Sequence, residues 1–140
     1  MPFDPIDPPE LGRPSGFSHG MLAPAGARVL LVAGQVAAGR RGEITTDDFV
    51  EQFGIALDRV IAVVRAAGGD QQSIGRLTIY VTDLAAYRAQ RQALAPVYRE
   101  RMGRHFPAMA LVEVSGLVDP RALVEIEATA AIPAAGAGSA

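Results

Sequence analysis

The chain has 140 residues, enough for one domain with a real core, and its 49% hydrophobic and 20% charged content is that of an ordinary globular protein. A formal net charge of −2 supplies no field for nucleic acid or an anionic membrane, and the absence of cysteine excludes disulfides, thiolate catalysis and cysteine-ligated metals. Only His19 and His105 can supply imidazole, which argues against a histidine-rich metal site. No apolar run is long enough to span a bilayer, and no charged segment followed by an apolar one opens the chain, so no membrane partner is expected and the expected location is cytoplasmic.

The first fourteen residues carry Pro2, Pro5, Pro8, Pro9 and Pro14, a density that forbids a regular helix or a central strand. Residues 1–14 are read as an extended arm, 15–132 as the single domain, and 133–140, rich in alanine and glycine, as a flexible tail. Phe17–Ala23 and Arg28–Ala33 have strand character and are separated by Pro24-Ala25-Gly26-Ala27, which predicts a hairpin. Thr45 or Thr46 is positioned to cap a helix in which Phe49, Phe53, Ala56, Leu57, Val60, Ile61 and Val64 recur at helical spacing, and Gly68-Gly69 ends it. Ile74–Thr82 alternates as a strand. Asp83 can cap a second helix running to about Met102, with a kink expected at Pro96.

Two strands complete the chain, and each sets carboxylates among apolar residues. Glu113 alternates in phase with Met109 and Leu111. Glu125 and Glu127 share one face of the last strand, while Val124, Ile126, Ala128 and Ala130 form an apolar face opposite. Carboxylates on half-buried strands are costly to desolvate and need water, a partner or a chemical task. The order β-β-α-β-α-β-β predicts an α+β two-layer fold, a mixed sheet with two helices on one face. The other face is expected to carry Thr78, Tyr80, Thr82, Met109, Leu111, Glu113, Glu125 and Glu127. That mixture is too apolar for a comfortable solvent face, so it is expected to be buried against further copies.

Several short motifs, in this order and spacing, resemble the RidA/YjgF family. They are Gly16-Phe17-Ser18-His19-Gly20, Val32-Ala33-Gly34-Gln35, Ala66-Ala67-Gly68, Tyr80-Val81-Thr82-Asp83, Phe106-Pro107-Ala108 and Val124-Glu125-Ile126-Glu127-Ala128. The resemblance runs from about Phe17 to Ala130. It implies a chorismate-mutase-like fold, a homotrimer whose sheets surround a central barrel, and small-molecule clefts between neighbouring subunits. It also implies hydrolysis of reactive enamines and imines to ammonia and a keto acid, with no metal or organic cofactor.

The chain departs from that pattern where the cleft is expected. The family arginine after Pro-Ala, suited to bidentate grip of a substrate carboxylate, is Met109 here. The usual tyrosine is Phe17, and the usual serine before Gly-Gln is Ala33. The retained Glu125 is expected to activate water, with His19 assisting. Phe17, Ala33, Gly34, Arg91 and Met109 are expected to contact substrate, and Arg91, His19 or Arg104 to replace the missing cation. The resulting expectation is an imine or enamine hydrolase whose substrate is not 2-aminoacrylate. The alternatives are a trimer that binds a small molecule without chemistry and, disfavoured by the charge, a ribonuclease or translation inhibitor.

Overall fold

A computed structural model describes residues 3–134. Its elements are β1 (Asp4–Ile6), β2 (Gly20–Leu22), β3 (Arg28–Gln35), α1 (Phe49–Ala66), β4 (Ile74–Val81), α2 (Leu84–Ala89), α3 (Arg91–Met102), β5 (Ala108–Glu113) and β6 (Val124–Ile132). Four strands form a mixed sheet in the order β3-β6-β4-β5. β6 runs antiparallel to both of its neighbours, and β4 pairs with β5 in parallel. The helices cover one face, so the two-layer α+β fold expected from the sequence is present.

The helical period of α1 sets the core. All seven apolar residues that define its stripe, Phe49 to Val64, are buried. They pack on the alternate residues Leu77, Ile79 and Val81 of β4 and Val124, Ile126, Ala128 and Ala130 of β6. Asp48, one turn from the expected threonines, caps the helix by accepting from the Glu51 amide at 2.9 Å. Thr46 instead accepts from the Asp48 amide and donates to the Glu51 carboxylate. Gln52, fully buried on the same helix, donates to the carbonyls of Thr46 and Arg121 and accepts from the Leu123 amide at 2.8 Å. Its amide therefore ties α1 to both flanking loops.

Three expectations are corrected. The hairpin joining β2 to β3 does not form. β2 pairs with β1 in the register Asp4↔Leu22 to Ile6↔Gly20, so the proline-rich arm docks on its own chain. The Phe3 ring lies where a Cβ on Gly75 would sit, at 2.3 Å, and Gly75 is thus the seat for the arm. The second helix is two, α2 and α3, divided at Gln90, while Pro96 is accommodated inside α3. Finally, Met109, Leu111 and Glu113 lie on the helix-covered face, because they pair with Leu77, Ile79 and Val81. Alternation within β5 is as read. Which face points inward depends on its register with β4, and a one-residue slip inverts it. Of the tail, residues beyond 134 lie outside the described part.

The open face therefore carries Thr78 and Tyr80 of β4, Glu125, Glu127 and Thr129 of β6, and Val29 and Leu31 of β3. Val29 and Leu31 are 73% and 76% exposed on an edge strand.

Candidate functional site

Two groups of candidate residues emerge, on opposite faces of the sheet. The first lines a cavity of about 680 Å³ on the helix side, over the edge strand β5. Its floor is Phe53, Ile79, Leu94, Met109 and Leu111, and Tyr87, Arg91, Tyr98 and Arg99 approach from α2 and α3. Phe17 and Phe106 supply further aromatic wall. Phe17 is held there by the next residue. Ser18 donates its hydroxyl to the Phe106 carbonyl at 2.6 Å and its amide to the Pro107 carbonyl at 3.2 Å. Tyr98 stacks on Phe106 with ring centroids 5.6 Å apart and donates to the His105 carbonyl at 2.6 Å. Burial pushes the Tyr98 phenol above its ordinary range. His105 in turn sets Nε2 2.6 Å from the Ile74 carbonyl, fixing the turn that enters β5.

The second group lies on the open face between β3 and β6. Pairing of these strands slips between Val32 and Gln35, where three steps on β3 match two on β6. Ala33 and Gly34 thus form a bulge outside the regular ladder, a device common beside functional sites. The Glu125 side chain crosses this bulge. A Cβ on Gly34 would meet its Cδ and Oε2 at 2.8 Å, so glycine is what permits the approach.

The three strand carboxylates now separate by partner. Glu113 accepts from the Leu84 amide at 2.9 Å and caps α2, a structural task. Glu127 accepts from the Tyr80 hydroxyl. That bond, with partial desolvation and the charges of Glu127 and Glu125, pushes the Tyr80 phenol up. Glu125 accepts no hydrogen bond from any described residue. It is the one of the three with no hydrogen-bond partner among the described residues.

Phe17, Arg91 and Met109 share the cavity, and Ala33 and Gly34 lie with Glu125. His19 is not among the cavity-lining residues. Its amide donates to Asp7, its Nε2 lies 3.1 Å from the Gly12 carbonyl, and its ring meets Phe17 edge-on at 5.3 Å. The folded-back arm holds it outside. Sequence reasoning missed Tyr87, Tyr98, Phe106 and Arg99. Part of their signal was legible, since Arg91, Leu94 and Tyr98 follow spacings of three and four on one face of α3. Arg99 is exposed in the last turn of α3 and lines the cavity. Arg101 is instead bound to Asp58 at 2.8 Å and 3.2 Å, lying over Gly54.

Known proteins share this architecture. The family model described as endoribonuclease L-PSP matches residues 13–132. A RutC family protein of Pyrococcus horikoshii is 33% identical over 102 residues, 72% of this chain and 77% of that protein. The crystal structure of YyfB, a conserved Rid family protein from Yersinia pestis, superposes with a TM-score of 0.82 at 32% identity, covering 94% of this chain and all of that one. The structure of TdcF from E. coli with bound serine superposes at 0.66 with 26% identity, over 87% of this chain and 92% of that one. The chain belongs to the RidA/YjgF family, the group the endoribonuclease L-PSP model describes.

Proposed function

We propose that this chain assembles as a homotrimer and hydrolyses the C=N bond of a small imine, or of an enamine through its imine tautomer. One subunit supplies the helix-side cavity, and its neighbour supplies the Gly34–Glu125 group. Glu125 accepts a proton from a water as its oxygen attacks the imine carbon. The nitrogen then takes up protons, the carbon–nitrogen bond of the carbinolamine breaks, and a carbonyl compound and ammonia leave. The bulged backbone at Ala33 and Gly34 offers amide donors to the reacting group. The observation that carries this reading is the Glu125 carboxylate seated on Gly34 with no partner among the described residues. Serine bound to the related TdcF supports a ligand of amino-acid-like chemistry. An RNA substrate is disfavoured by the net charge of −2.

Replacement of arginine, tyrosine and serine by Met109, Phe17 and Ala33 favours a second reading, a binding trimer without turnover. Glu125→Gln separates the two. Ammonia release is measured from 2-aminoacrylate and from bulkier imines generated in place. Hydrolysis by the parent that is lost in the variant, with ligand binding retained, supports catalysis by Glu125. Equal turnover by both removes Glu125 from the mechanism, and no turnover by the parent leaves the binding reading.

A further inference from the structure

The group around Gly34 and Glu125 is tied to the helical layer by a chain of hydrogen bonds that begins at Arg59 on α1. Between Val32 and Gln35 the β3 strand takes three steps while β6 takes two, from Ala128 to Ile126. Three steps in a regular strand would turn Gln35 to the face opposite Val32. The bulge cancels that turn, so Gln35 is paired with the core residue Ile126 and its side chain is set on the helix side of the sheet. There the Arg59 Nε–H donates to Gln35 Oε1 at 3.0 Å. Gln35 Nε2 in turn donates to the Ala33 carbonyl at 3.1 Å. A second guanidinium nitrogen of Arg59 donates to the Ala38 carbonyl at 3.0 Å and anchors the chain beyond β3. Among the described residues Arg59 makes no ion pair, whereas Arg101 and Arg121 both do.

The polarity of this chain runs one way. A guanidinium can only donate, so it faces the oxygen of the Gln35 amide and leaves the nitrogen for Ala33. Without Arg59 the amide can turn over, and its oxygen would then meet the Ala33 carbonyl, acceptor against acceptor. The Ala33 carbonyl belongs to the same planar unit as the Gly34 amide and Cα. Holding that oxygen therefore sets the whole Ala33–Gly34 peptide, on which the Glu125 side chain rests. Ala33 and Gly34 have no paired residue in the ladder, so a side-chain bond does there what strand pairing does elsewhere. We propose that Arg59 and Gln35 are positioning residues for the Gly34–Glu125 group. They fix the Ala33–Gly34 peptide from the helical layer, and with it the place of the base and of the amide donors beside it. This rests on the reading that Glu125 acts on the substrate. Both residues act through the peptide and not by contact with substrate.

Gln35→Glu separates positioning from support of the fold. Its carboxylate keeps the contact with Arg59, now as an ion pair, but offers only acceptors to the Ala33 carbonyl. Arg59→Met is the second variant; it keeps an aliphatic stem and removes both donors. The full-length parent and the variants are prepared with isotope-labelled glycine, and the Gly34 amide signal is identified by its absence from Gly34→Ala. In Gln35→Glu the Gly34 signal should move further than any other glycine amide. In Arg59→Met the Gly34 and Gly39 signals should move furthest, because their peptide planes carry the two carbonyls that this chain holds. With the best imine substrate, Gln35→Glu should lower kcat by about tenfold to a hundredfold, with KM within about threefold and the melting temperature unchanged. On the Glu125→Gln background the same change should slow turnover no further. A Gly34 signal that stays in place in Gln35→Glu overturns the proposal. So does a moved signal with unchanged kcat, or a loss of kcat that only accompanies a lowered melting temperature in both variants. No imine turnover by the parent would remove the hydrolase reading, and the movement of the Gly34 signal would then decide by itself whether Arg59 and Gln35 set the peptide.

Discussion

Gly34→Ala isolates the contact on which the catalytic reading depends. The added Cβ would lie 2.8 Å from Cδ and Oε2 of Glu125 and 3.0 Å from its Cγ. Ordinary carbon contacts are about 3.5–4.0 Å, so the carboxylate must retreat by about 0.7–1 Å. The retreat is cheap for the fold. The clashing atoms are the far end of a flexible side chain, and rotation off its preferred angles costs about 0.5–1.5 kcal/mol. Gly34 has no positive φ, so alanine meets no backbone strain, and the loss of unfolded-state freedom returns about 0.4–1 kcal/mol. Melting temperature should therefore be nearly unchanged. Turnover should not be, because misplacing a reacting group by about 1 Å can cost roughly a hundredfold. The assay is ammonia release from the best imine substrate, with thermal unfolding alongside. The double variant Gly34→Ala/Glu125→Gln should be no slower than Glu125→Gln alone, since both changes act through one carboxylate. A fall of less than about threefold in Gly34→Ala, in a protein that Glu125→Gln inactivates, would refute the claim that this geometry positions the base.

Gln52→Ala should destabilise the fold by about 2–4 kcal/mol, because it leaves the Leu123 amide and two carbonyls unpaired beside the core; denaturant unfolding measures this. The phenols of Tyr80 and Tyr98 both lie above the ordinary value of 10.0 in the folded chain, so the unfolded chain loses those protons first. Stability is full below that pH and falls as pH rises through it, and Tyr98→Phe should flatten the fall in melting temperature on the alkaline side. Leu31→Glu places a charge on the exposed edge strand β3 and should convert the proposed trimer to a monomer in sedimentation velocity, with unchanged circular dichroism.

What could be read from the chain follows from where the information resides. Periodicity within an element fixes its faces, and α1, β4 and β6 bury the residues their patterns assign. Partnership between elements is not encoded locally. Nothing in Gly20–Leu22 says that its partner is Asp4–Ile6 and not β3, and the alternation of β5 is equally consistent with either inward face. The candidate site divides the same way. Glu125 and Gly34 were legible through their motifs, yet their contact needs the bulge at Ala33, which arises only when β3 pairs with β6. Arg91 was legible as a cation on a helix. Its aromatic surroundings come from five separate segments, and only the fold assembles them.

The separation of the two groups also constrains how copies can meet. Met109 faces the helices on edge strand β5, while Glu125 faces away from them on β6, against the other edge strand. Two strand spacings, about 10 Å, and the thickness of the sheet stand between them. No side-chain rotation within one chain brings them together. A head-to-tail contact, in which the β5 side of one subunit meets the β3 side of the next, would unite them, and such a contact closes into a ring, as in the proposed trimer, when the rotation between copies permits. Subunit mixing tests this. Ala95→Trp should block the cavity from an exposed position on α3, and Glu125→Gln should silence the other group. Each variant alone should be inactive. Unfolded together in equal amounts and refolded, they should recover about a quarter of the parent's turnover, the fraction of interfaces at which both halves are intact. No recovery, with mixed assembly verified by mass spectrometry of tagged subunits, would mean that both groups act within one chain or that only one of them acts.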